Sequence, residues 1–248
     1  MAEQSYGIHA EAVSLTGYRG DAIPGYFARP LGDGPFPGVL VIHEAFGLLE
    51  LTRETVHKFA AHGYLAIAPD LYSRIPDFDP TNMDALRNAM FSLPDEHAIG
   101  DMLGGVAYLK GLEQSNSKVG SIGHCSGGRH SFLLACNTDQ LDAAVNCYGG
   151  GVVTDEVTEN RPRPVIDMAA DLACPMLGLF GATDRNPNPE HVQRMDEELT
   201  KHGKAHEFHS YAEPVGHGFF ATDRPSYDQA AAVDGWDRIF AFYDQHLR

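Results

Sequence analysis

The sequence predicts an α/β fold, with a mainly parallel central sheet, helices on both faces and an antiparallel hairpin at the N-terminal end. Three observations carry this. Short apolar runs rich in β-branched residues alternate with stretches of helical periodicity, glycine or proline closes several of the runs, and the first two segments are joined through Gly17 and Gly20 rather than by a helix. Parallel strands need a crossover connection, so strand alternating with helix reads as a parallel sheet.

Taken in order, about Ile8 to Leu15 and Ala22 to Ala28 make the hairpin. Pro37 to His43 (PGVLVIH) is an apolar strand, and Leu51 to His62 is a helix because Leu51, Thr55, Val56, Phe59 and Ala60 share one face. Gly63 stands where a helix C-cap glycine belongs, Tyr64 to Ala68 is the next strand, and Pro69 ends it. Asp95 to Leu112 places Ile99, Met102, Leu103, Val106 and Leu109 at helical spacing. A strand at Lys118 to Gly123 and a helix at about Gly128 to Cys136 come next. Leu141 to Tyr148 and Pro175 to Gly181 are further strands, and the second leads into a helix at Glu190 to Lys201. Ala205 to Tyr211 is the last strand. Tyr227 to Leu247 closes the chain as a helix, with Ala230, Val233, Trp236, Phe240, Tyr243 and Leu247 along one stripe. Asn160 to Pro164 reads as a surface loop, and with no repeat or linker in sight residues 1–248 are expected to form one domain.

Composition narrows the function. Asp and Glu number 34 against 18 Lys and Arg, a formal net charge of −16, and no segment gathers a basic stripe, so nucleic acid is not an expected partner. A hydrophobic share of 43% and a charged share of 21% are globular values, and 248 residues suffice for a core without disulfide or metal support. Cysteines 125, 136, 147 and 174 contain no Cys-x-x-Cys pair, so reduced thiols are expected. Met1 to Ala10 has neither basic residues nor an apolar run, and no stretch approaches the roughly 18 apolar residues of a membrane span. The expectation is a cytoplasmic protein, with no membrane partner, acting as a monomer or small homo-oligomer.

The strongest local signal is Gly123-His124-Cys125-Ser126-Gly127-Gly128, between a predicted strand and a predicted helix. It matches the nucleophile elbow, with cysteine in place of the commoner serine. A side chain on so sharp a turn needs small neighbours two residues either side, here Gly123 and Gly127, and the helix N-terminus favours a thiolate and a developing oxyanion. Ser126 fails as the nucleophile because its register would put glycine at His124. The plain alternative for Cys125 is a buried small hydrophobe, and Cys136, Cys147 and Cys174, which lack the elbow setting, are assigned to that role.

An elbow enzyme presents its partners in the order nucleophile, acid, histidine. Asp184 and His217 follow predicted strands at their C-terminal ends, the edge where open parallel sheets build sites. Asp167 and Asp171 are alternative acids that precede their strand. Glu44 directly follows an apolar strand, where a carboxylate would matter to a nearby thiol, and its plain alternative is a salt bridge or a solvated loop acid. The backbone N–H groups of Ala45 and Ser126 are candidate oxyanion donors.

The motifs His43-Glu-Ala-Phe-Gly, Arg53-Glu-Thr-Val, Ala68-Pro-Asp-Leu-Tyr, Gly123-His-Cys-Ser-Gly-Gly and Gly216-His-Gly-Phe, in this order, resemble the dienelactone hydrolase family of the α/β-hydrolase superfamily. The resemblance runs from about residue 8 to the end. It implies hydrolysis of a lactone or enol ester, dienelactone to maleylacetate in the family, through an acyl-thioester on Cys125. His217 would act as base and acid, Asp184 would orient it, and Glu44 would help switch the cysteine to its thiolate. Family arginines hold a substrate carboxylate. One of their positions is Ala221 here, which leaves Arg224 as a substitute, with Arg74 or Arg87 for the other. A family tyrosine is replaced by Cys147, with Tyr148 next door as a substrate contact. These departures leave open a different, neutral ester, and a non-catalytic binding relative is the remaining rival.

No cofactor or metal is expected. Gly123 and Gly128 have the separation of a phosphate loop, but Arg129 and His130 stand where lysine and Ser/Thr would be required. His202, His206 and His209 straddle a helix-to-strand boundary with no His-Glu-x-x-His helix.

Overall fold

A computed structural model describes residues 5–248. The described residues form two compact units, 5–121 and 122–248.

In the first unit, β1 (Ile8–Thr16) and β2 (Ala22–Pro30) form the hairpin, antiparallel from Ile8 opposite Pro30 to Thr16 opposite Ala22. β2 continues antiparallel onto β4 (Leu65–Pro69), which pairs in parallel with β3 (Phe36–Ile42). Every residue of β3 and β4 is buried, which requires cover on both faces. α1 (Glu50–Ala61) and α3 (Asp95–Gly111) both pack on these strands and supply it. α3 comes in unusually close: a Cβ on Gly104 would lie 2.2 Å from the Thr16 carbonyl oxygen. The expected hairpin, strands and helices are thus all present in this unit.

The sequence reading missed α2 (Met83–Ser92). Its signal is the cap: Asn82 Oδ1 accepts the N–H groups of Asp84 at 2.9 Å and Ala85 at 3.2 Å. β5 (Ser115–His124) starts three residues before the predicted strand and carries the chain into the second unit.

There β6 (Ala143–Cys147), β7 (Met176–Gly181) and β8 (His206–Tyr211) are parallel, with Ala144 opposite Met176 and Met176 opposite His206. α4 (Ser126–Ala135) packs on β6 and is buried at all ten positions. A helix buried all round lies inside the fold, enclosed by packed side chains on every face. α5 (Pro189–Lys201) and α6 (Gln229–Leu247) complete the unit. The fold is the mainly parallel α/β arrangement with an N-terminal antiparallel hairpin that the sequence predicts. Among the described residues no helix is long and apolar enough to cross a membrane.

Candidate active site

Cys125 sits between β5 and α4 at φ +54°, ψ −124°, outside both regular regions. A non-glycine residue there costs about 1–3 kcal/mol and persists only where its surroundings hold it. Cys125 N–H donates to the Cys147 carbonyl at 3.1 Å, and the Cys125 carbonyl accepts the Gly128 N–H at 3.0 Å. A Cβ on Gly123 would fall 2.0 Å from the Gly127 carbonyl oxygen, so the turn closes only without a side chain. α4 begins at Ser126, not near Gly128, and the Ser126 N–H therefore opens the helix right beside the thiol.

Cys125 is the half-buried cysteine, while Cys136, Cys147 and Cys174 are buried. Burial pushes the thiols of Cys136 and Cys174 up to about 12, with Asp171 and Asp142 adding to the two shifts in turn, and burial lifts Cys147 well above its ordinary value.

His217 Nδ1–H donates to Asp184 Oδ2 at 2.8 Å, and Asp184 Oδ1 accepts the Asn186 N–H at 2.9 Å. A carboxylate with both oxygens engaged fixes the tautomer, leaving Nε2 for the thiol. Burial works against protonation of His217, but its hydrogen bonds to Asp184 and Cys125 outweigh this and raise it to about 10. His217 is therefore held as an imidazolium near neutral pH. The loop that carries Asp184 is tied to the loop that carries His217 by Thr183, whose N–H and hydroxyl both donate to the Val215 carbonyl, at 3.0 and 2.9 Å. Of the three acids considered from sequence, Asp184 is the one bonded to His217. Asp167 and Asp171 lie on a 3₁₀ helix, Val165–Asp171, and Asp171 pairs with Arg163 at 3.6 Å.

His124 is buried against Tyr148, Phe220 and Trp236. Burial, and then the charge of Arg224, push its pKa down to about 4, so it is neutral at physiological pH. Arg224 is half-buried, with Asp223 at 3.9 Å. Tyr148, expected as a substrate contact, is wholly buried, and its ring packs on His217, Phe219 and His124.

The remaining candidates belong to the first unit. Glu44 and Ala45 follow β3, with Glu44 buried and Ala45 half-buried. Sequence reasoning missed the residue that shapes this loop, His43. Its Nδ1–H donates to the Glu44 carbonyl at 2.7 Å and its Nε2 accepts the Leu71 N–H at 3.1 Å, while burial lowers its pKa. Arg87 is exposed on α2. Arg74 departs from its substrate-binding expectation because its guanidinium is taken up by the fully buried Asp101, in a two-point pair, and by Asp21 at 3.0 Å. No group of His, Cys, Asp and Glu among the described residues is placed to hold a metal.

The sequence matches the Dienelactone hydrolase family over residues 23–247. A protein of Yersinia pestis provisionally named carboxymethylenebutenolidase is 36% identical over 98% of this chain and 91% of its own length. The crystal structure of a provisionally named dienelactone hydrolase from Klebsiella pneumoniae superposes with a TM-score of 0.90 at 35% identity, covering 97% of this chain and all of the other. A more distant relative from Bradyrhizobium, described as a probable 2-oxo-3-(5-oxofuran-2-ylidene)propanoate lactonase, is 26% identical over 93% of this chain and 92% of its own length. With its elbow, its fold and these full-length matches, the chain belongs to the dienelactone hydrolase family of α/β hydrolases, enzymes that act on ester and lactone bonds.

Proposed function

We propose that residues 1–248 work as one α/β-hydrolase domain that opens a small, carboxylate-bearing lactone or enol ester through a covalent thioester on Cys125. The observation that carries the reading is the half-buried Cys125 at a strained elbow, hydrogen-bonded to a His217 that Asp184 fixes by Nδ1. The Cys125 thiolate attacks the ester carbonyl carbon, and the oxyanion that forms takes a hydrogen bond from the Ser126 N–H. As the intermediate collapses, the carbonyl carbon–oxygen bond to the leaving group breaks, and His217 Nε2–H protonates the departing oxygen. Neutral His217 then takes a proton from water, the hydroxide attacks the thioester, and the thiolate leaves with the imidazolium restored. On the resemblance of their loop, Glu44 favours the thiolate and the Ala45 N–H serves as a second oxyanion donor.

A carboxylate-bearing substrate is favoured by the half-buried cation of Arg224, whose charge acts on His124, and by the furanylidene-propanoate lactone named for the Bradyrhizobium relative. Arg87 is the second candidate for the carboxylate, and Arg74, already paired with Asp101, is not. The test is dienelactone hydrolysis by the purified protein beside a simple aryl acetate, with Cys125→Ala as control. Dienelactone turnover that vanishes in Cys125→Ala supports the reading. Turnover of the aryl acetate alone moves the substrate to neutral esters, and silence on both refutes hydrolysis by this site.

A further inference from the structure

Tyr148 has three properties that need a common cause. It is a bulky residue in the left-handed region, at φ +40°, although Gly149, Gly150 and Gly151 follow it and glycine would take that conformation without strain. It is wholly buried. Its main chain is pinned on both sides: the Cys147 carbonyl receives the Cys125 N–H at 3.1 Å, Tyr148 N–H donates to the Leu179 carbonyl at 2.8 Å, and Gly149 N–H donates to Asn146 Oδ1 at 2.8 Å. The backbone thus fixes where the ring goes. It stands 5.0 Å from the His217 imidazole at 60° between planes, with Phe219 at 5.2 Å and His124 at 5.8 Å.

One hydrogen bond sets a distance but leaves rotation about itself. The Asp184 bond fixes only Nδ1, and a single contact to a sulfur is a weak restraint, so the direction of Nε2 depends on what packs against the ring. We propose that Tyr148 is a positioning residue for His217, its ring being the wall, aimed by the strained turn after β6, that keeps Nε2 directed at Cys125. The inference rests on the Cys125–His217–Asp184 reading above, and it has Tyr148 act through the histidine and not on the substrate. Asp184 and Cys125 are the ionisable groups acting on His217, and Arg224 acts on His124 at the ring's other flank.

The experiment compares Tyr148→Leu and Tyr148→Phe with the unaltered protein by two readouts. One is the pH dependence of iodoacetamide alkylation at Cys125, followed by mass spectrometry of the Cys125 peptide. The other is kcat and KM for an aryl acetate. Tyr148→Leu is expected to slow Cys125 alkylation near neutral pH, because an imidazole no longer directed at the sulfur cannot take up its proton. It should lower kcat by about tenfold to a hundredfold with KM little changed. Tyr148→Phe keeps the wall and should leave both readouts in place. An unchanged alkylation profile in Tyr148→Leu, or a rise in KM alone, overturns the inference, as does a Tyr148→Phe variant as damaged as Tyr148→Leu. Should Tyr148→Leu not fold, Tyr148→Met fills similar volume without a flat face and carries the same expectation. His217→Ala is measured alongside. If it leaves alkylation and turnover intact, the triad reading falls and this inference with it. If it abolishes them while Tyr148→Leu changes neither, only the positioning role of Tyr148 is overturned.

Discussion

Acid should destabilise this protein through one histidine, His124, next to the nucleophile. Its pKa is pushed from 6.5 to about 4 by burial and then by Arg224, and its ring is enclosed by Tyr148, Phe220 and Trp236. Because the folded value lies below the unfolded one, the unfolded chain takes up this proton first as the pH falls. Stability is therefore complete above about pH 6.5 and drains away down to about pH 4. The gap of about 2.5 on the pH scale, at about 1.4 kcal/mol for each step, amounts to about 3 kcal/mol. The perturbation is His124→Phe, which keeps an aromatic ring in the box and removes the titration. Urea unfolding of both proteins from pH 8 to pH 4 is the assay, and the difference between them cancels every other acid-sensitive group. The unaltered protein is expected to lose about 3 kcal/mol more than His124→Phe over that range. Parallel pH dependences in the two proteins would show that His124 is not held neutral, and would refute the argument from burial.

Three further outcomes follow from the geometry. Asp184→Asn removes the carboxylate that holds His217 at about 10; kcat for an aryl acetate should fall by about 10³- to 10⁴-fold with KM little changed. Asp101→Asn removes the buried negative charge that pairs with Arg74, and should cost about 3–5 kcal/mol in urea unfolding with little effect on KM for an aryl acetate. Gly123→Ala places a methyl against the Gly127 backbone, which cannot yield as a flexible side chain would. It should abolish hydrolysis, and thermal unfolding should show a lowered Tm even though one methyl has been added.

How much of this was legible in the sequence depended on how local each cause was. The elbow was, because Gly123 and Gly127 flank Cys125 within five residues and their reason is steric contact between those same residues. The strands were, because β3 and β4 are buried on both faces and read as unbroken apolar runs. The helix α2 was not, since only Leu86 and Ala89 of it are buried and its main signal was the single cap residue Asn82. Arg74 was misread because its partner Asp101 lies 27 residues away, and only the folded chain reveals that the cation is already neutralised. That Tyr148 turns inward against His217 was not legible either, because the turn that aims its ring is held by Leu179 and Asn146. The bond between His217 and Asp184 spans 33 residues, so strand ends could nominate both residues and only distance could pair them.

The uneven burial of the four cysteines gives the folded chain an internal count of its own unfolding. A thiol reagent at neutral pH meets one half-buried sulfur, at Cys125, while the other three are shielded and held protonated. The native protein should consume one equivalent rapidly, and each molecule that opens should release three more. The slow consumption thus measures the opening rate of the fold, with no label added and no residue changed.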